Sequence, residues 1–187
     1  MKQKIRVTVP RTHPAAVLAC VLMAVSAVVR LVYYLPGNLT AGIVTVHLIL
    51  PVSAAALFIL GTIANGKHLI PCSVSAVVLG IVFFILKAFT FTPLHQALCT
   101  LLYLTVLVLY TLTVTGCIPT KKLLYPLFGL PLLYHIFVED MQLYVFAEPR
   151  VPVVDWMPEI SVLCIMAALL SQAFAMRMEK TGEPAKE

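Results

Sequence analysis

The sequence predicts an all-α fold: a polytopic bundle of six transmembrane helices with both termini on the cytoplasmic side. Three observations carry that prediction. First, 61% of the 187 residues are apolar and 11% are charged, with a mean hydropathy of +1.00. Soluble domains carry about 25% charged residues, so this chain has too little polar surface to face water all round. Second, the apolar residues gather into six stretches, each close to the roughly 20 residues that a bilayer span requires. Third, Lys and Arg are distributed unevenly between alternate connections, the pattern that sets membrane orientation.

The first stretch runs from Pro14 to about Leu35, the second from Ala41 to Ala64 and the third from Leu69 to Thr90. The fourth covers Gln96 to Ile118, a fifth begins at Leu123, and the sixth spans roughly Trp156 to Met176. Proline and glycine punctuate the connections at Pro36-Gly37-Asn38, Asn65-Gly66-Lys67, Phe91-Thr92-Pro93 and Ile118-Pro119-Thr120, because one lacks a donor and the other favours turns. Strands of a membrane barrel would be shorter and would alternate in polarity. The whole chain reads as one integral membrane domain: a basic N-terminus over 1–13, the bundle over 14–176, and a solvated, frayed tail over 177–187.

Orientation follows from ten cations on one side, namely Lys2, Lys4, Arg6, Arg11, Lys67, Lys121, Lys122, Arg177, Lys180 and Lys186, against Arg30, Lys87 and Arg150 on the other. The richer side is cytoplasmic, which puts both termini inside. The basic N-terminus suits anionic headgroups, and the overall basicity needs no nucleic acid to explain it. The chain is expected in a prokaryotic plasma membrane.

The fifth stretch is irregular. It contains Pro126 and Pro131, meets Glu139 and Asp140, and resumes as Leu143-Tyr144-Val145-Phe146. It ends either at Val138 or, in the preferred reading, at Phe146. Internal proline removes a backbone hydrogen bond and clashes with the preceding turn, so this helix is expected to kink near Pro126–Pro131 and to sit where neighbours satisfy the freed carbonyls.

Motif chemistry is sparse. The apolar start with Val25-Ser26-Ala27 imitates a signal peptide but reads as a retained first span. Asn38-Leu39-Thr40 satisfies the glycosylation sequon yet lies at the membrane edge and reads as a turn. Cys20, Cys72, Cys99, Cys117 and Cys164 all fall within the predicted spans without paired spacing, and read as packing residues rather than metal or disulfide partners. The dinucleotide-binding, Walker, nucleophile-elbow and zinc-protease signatures are absent. No Asp or Glu precedes Glu139, which disfavours carboxylate-dependent catalysis. The chain is therefore read as a non-enzyme with no catalytic residues, cofactor or metal.

Most of the intramembrane charge is expected at one depth. Arg30, His47 and Lys87 fall near the outer ends of the first three spans, His135, Glu139 and Asp140 in the outer half of the fifth, and Glu159 one turn into the sixth, while Gln96 opens the fourth. The cytoplasmic half is expected to hold almost no polar groups. Ionisable side chains in a bilayer are costly and usually face the bundle interior. A structural reading pairs Arg30 and Lys87 with the acids or lets them snorkel. A functional reading makes the layer an outward pocket for a small amphoteric solute. His47, His135 and Glu139 could be drawn together as metal ligands, but their spacing is unspecific.

Two functions follow. One is an accessory or structural subunit that associates laterally with a larger membrane partner. The other is a solute-binding or transport protein with an outward-facing polar pocket. In chain length, six helices, internal termini and an outer site, the chain is similar in plan to the substrate-binding subunits of energy-coupling-factor vitamin transporters. That resemblance covers the plan of the whole chain and no residue motif. It implies a solute near the outer face and a separate energising module, and it carries no site residue across.

Overall fold

The computed structural model describes residues 4–37, 40–90, 94–117, 133 and 156–181. The elements are β1 (Lys4–Thr8), α1 (Pro14–Tyr34), α2 (Ala41–Ala64), α3 (Gly66–Thr90), α4 (Leu94–Val114), α5 (Met157–Ala175) and β2 (Arg177–Thr181). Four of the helices are long and apolar enough to cross a membrane: α1, α2, α3 over Gly66–Leu86, and α5. Helix α5 corresponds to the sixth apolar stretch. The fifth stretch, with its expected kink, lies outside the described residues except for Leu133.

Helix α1 starts where proline's missing N–H costs nothing. Pro14 sits in the first turn, and the His13 imidazole accepts the Ala15 N–H at 3.2 Å through Nδ1. Its buried residues are Ala16, Ala19, Met23, Ser26 and Arg30, a 3-4-3-4 spacing that makes one narrow seam. That seam packs against α5, its most extensive neighbour. The two run antiparallel, because His13 at the start of α1 meets Phe174 at the end of α5, with ring centroids 6.1 Å apart. Ala16 and Ala19 on one helix and Ala168 and Ala173 on the other are buried small residues that let the backbones approach.

Helix α2 is continuous from Ala41 to Ala64 but is not α-helical throughout. Residues Val44–Ile49 form a π turn, in which the Leu50 N–H reaches back five residues to the Thr45 carbonyl. Pro51 follows, buried. Its ring would crowd the carbonyl four residues earlier, at His47, and widening the turn by one residue accommodates it. The sequence therefore places a Pro-induced irregularity in the second span.

The α2–α3 connection is tighter than expected. Only Asn65 breaks the helix, at φ 53° and ψ −164°, a conformation that costs most residues dearly. Gly61 brings the two helices together: a Cβ there would lie 2.8 Å from the Cys72 Cβ. Helix α4 stops before the expected Ile118. Gly116 adopts φ 74°, its N–H bonds the Thr113 carbonyl at 3.0 Å, and the Cys117 N–H bonds the Leu112 carbonyl at 2.9 Å. This is a Schellman ending, and it leaves Cys117 exposed beyond the helix rather than packed within a span.

The largest departure from expectation is at the termini. The described part of the tail, 177–181, is not frayed: β2 pairs antiparallel with β1, with Arg6 opposite Glu179 and Val7 opposite Met178. The pairing holds the two ends of the described chain at one end of the bundle. Val7, Val9 and Met176 are buried beneath the ribbon.

Candidate functional site

The bundle has two ends of different chemistry. At the end that carries the termini, polar groups are buried and joined. The Tyr110 hydroxyl on α4 donates to Gln172 Oε1 on α5, Gln172 Nε2 donates to Thr62 Oγ1 on α2, and Thr62 in turn donates to the Phe58 carbonyl at 2.8 Å. Tyr110 and Gln172 are fully buried, and Thr62 is nearly so. The Cys20 thiol on α1 neighbours Thr62, and the buried Ser73 hydroxyl on α3 lies beside Tyr110 without a hydrogen bond of its own among the described residues. Five helices thus meet at this layer. Thr111 and Thr113 on α4, and Thr115 just beyond it, bond the carbonyls four residues back at 2.7–2.9 Å, which hides their hydroxyls from an apolar surrounding.

Outside that layer the end is fastened a second time. Asn65 Oδ1 accepts the Val9 N–H at 3.1 Å and its Nδ2 donates to the Val9 carbonyl at 2.6 Å. Arg11 Nη2 donates to the Ala64 carbonyl at 3.2 Å. The strained backbone at Asn65 is thereby offset by two hydrogen bonds to Val9, in the link between β1 and α1.

These residues overturn the expectation that this half is almost free of polar groups. Gln172, Tyr110, Thr62 and Ser73 carry no charge, and counting charges passes over them. A search for uncharged polar residues within two turns of the helix ends would have found them.

The distal end holds the charged residues. Arg30 on α1 is 2% exposed. Its guanidinium carbon stands 4.6 Å above the Phe83 ring on α3, a cation–π contact. Its Nε is buried with no hydrogen-bond partner. Tyr34 and Glu159 act on it electrostatically. His47, at the middle of the π turn, stacks on Tyr34 with ring centroids 4.7 Å apart and planes at 22°, and meets Phe83 edge-on at 6.3 Å. Below this cluster Ser26 and Ser161 share a hydrogen bond of 2.9 Å that ties α1 to α5.

Of the expected polar layer, the structure gathers Arg30, His47 and Glu159 at this end. Lys87 lies on α3 toward the same end, with only its backbone described. His135, Glu139 and Asp140 lie outside the described residues, and with them two members of the metal trio. Tyr34 and Phe83 also belong to the cluster; their aromatic character reads as ordinary packing until Arg30 and His47 are placed beside them.

Two hollows frame the cluster. At the bundle centre a cavity of about 40 Å³ is lined by Met23, Phe58, Phe83, Phe84 and Leu169 among other apolar groups. It is too apolar to hold water well. At the distal surface an open cleft of about 520 Å³ is lined by Val32, Tyr33, Tyr34, Pro36, Ile43 and Met157. Tyr34 belongs to both the cleft wall and the buried cluster. No protein-family model, curated protein or solved structure matches the chain.

Proposed function

We propose that the chain is a six-span integral membrane protein of the plasma membrane that binds a small solute at its outward, distal end and works with a membrane partner. The observation that carries this reading is the contrast between the ends. At the distal end an open cleft adjoins a buried cation; at the termini end polar groups of several helices are committed to one another. A bundle fastened in this way offers its solute a place to sit rather than a path across. Moving the solute onward would then fall to a larger partner or an energising module, which joins the binding and accessory roles in one protein.

Six spans are supported by the ends of the described helices. Helix α4 finishes at the termini end, since Tyr110 near its close meets Gln172, whereas α5 begins at the distal end. A fifth span between α4 and α5 fits that placement, and the apolar stretch that begins at Leu123 supports it. The Lys and Arg distribution supports termini facing the cytoplasm.

The test is native mass spectrometry of the protein purified in mild detergent and incubated with a cell metabolite extract. The reading predicts an adduct of constant mass that denaturation releases, alongside no solute flux when the protein is reconstituted alone in liposomes. Only unliganded protein, or flux without a partner, would contradict it.

A further inference from the structure

We propose that Arg30 is the anchor of a site for a small carboxylate with an apolar body, reached from the distal cleft when the Tyr34 ring moves aside. The inference deepens the binding reading above and rests on it.

The cation comes first. A guanidinium in a membrane bundle is costly to bury, and its planar fork of donors suits an oxygen anion. Arg30 is 2% exposed, and its Nε–H is spent on nothing. Phe83 beneath it supplies the face of a ring but no acceptor in the plane of the fork. Glu159 acts on Arg30 from the first turn of α5, which moderates the charge and leaves the Nε donor unspent. An arriving carboxylate can take that donor.

The route comes next. Tyr34 stands one helical turn after Arg30 on the same face, and helical side chains lean back toward the N-terminus. Its ring therefore leans over Arg30, consistent with the electrostatic effect of Tyr34 on that residue. The same Tyr34 forms part of the cleft wall and lies flat on His47. Turning one side chain would join cleft and cation. His47 is held by the π turn, a distortion found often at functional sites, and backs the closed position of the ring. The cleft wall of Val32, Pro36, Ile43 and Met157 is apolar, which sets the character of the ligand's body.

The experiment uses the full chain in nanodiscs at constant ionic strength, with hexanoate as the probe and hexylammonium and hexanol as controls with the same body. Saturable thermal stabilisation by hexanoate alone is expected. Arg30→Gln should weaken it about tenfold or more, the scale of one charge-assisted hydrogen bond. Arg30→Lys, which keeps the charge and loses the fork, should fall between, and keeps the test open if Arg30→Gln folds poorly. Glu159→Gln should tighten hexanoate severalfold by removing a competing acid. Tyr34→Ala should speed association and retain the need for Arg30. Equal stabilisation of Arg30→Gln and wild type, equal response to all three probes, or no saturable response to hexanoate would overturn the assignment. If hexanoate fails while the metabolite adduct persists, only the Arg30 carboxylate site falls. If both fail, the binding reading falls with it.

Discussion

Among the described residues, the two ends of this bundle differ in how they treat their largest buried polar side chains. At the termini end Tyr110, Gln172 and Thr62 form a hydrogen-bonded chain across three helices, and Asn65 and Arg11 fasten the N-terminal strand to the α2–α3 connection. At the distal end Arg30 is buried over an aromatic ring with an unspent donor, beside a helix widened into a π turn. Satisfied networks stabilise and specify one packing. Unsatisfied groups and local distortions are tolerated where they serve a function. The contrast teaches that one end holds the fold, while the other keeps a buried donor available for the solute proposed above.

Substitutions at the fastened end should cost the most. Gly61→Val would push a side chain into the Cys72 Cβ, which a Cβ at position 61 already meets at 2.8 Å. We expect a loss of about 3 kcal/mol, the upper range for overpacking. Because the obstacle is the Cβ itself, the milder Gly61→Ala should be relieved by Cys72→Gly and not by Cys72→Ala, as denaturant titration in detergent can show.

Asn65→Ala removes both bonds to Val9 and keeps the unfavourable backbone angles. A loss of about 2 kcal/mol is expected, with faster hydrogen exchange at the Val9 amide. Asn65→Gly relieves the angles and should lose about half as much. Equal losses would show that the two bonds alone hold the junction.

Tyr110→Phe deletes one donor from the buried chain. Hydrogen bonds between membrane helices average about 0.6 kcal/mol and reach about 1.7, so a loss near 1 kcal/mol is expected from unfolding midpoints. At the other end Ser26→Ala breaks the bond to Ser161, and the smallest effect, about 0.5 kcal/mol, is expected. A larger loss at Ser26 than at Tyr110 would reverse the assignment of ends.

Much of the bundle was legible in the sequence because lipid leaves the chain few choices. Backbone groups must be satisfied within each span, so long apolar runs become helices, and α2 occupies Ala41–Ala64 as read. The terminal ribbon was missed because charge in both tails suggested solvation. Yet Ile5, Val7 and Val9 alternate with Arg6 and Thr8, a period of two that marks a strand. The π turn was hidden for a different reason: Pro51 announces an irregularity, and only packing decides whether the helix kinks or widens. At the site, Arg30, His47 and Glu159 stood out as ionisable groups in apolar runs. Tyr34 and Phe83 did not, since an aromatic ring in such a run is ordinary until its neighbours are known.

The division between a fastened end and an open one is decided by measuring the unfolding midpoints of Gln172→Leu and Arg30→Met side by side in the same detergent. Leucine in place of Gln172 leaves the buried Tyr110 hydroxyl without its acceptor, while methionine in place of Arg30 removes a buried charge whose Nε is unspent. Gln172→Leu should lower the midpoint, and Arg30→Met should leave it unchanged or raise it. A larger fall for Arg30→Met than for Gln172→Leu would contradict that division, and would make the distal cluster the clasp of the fold.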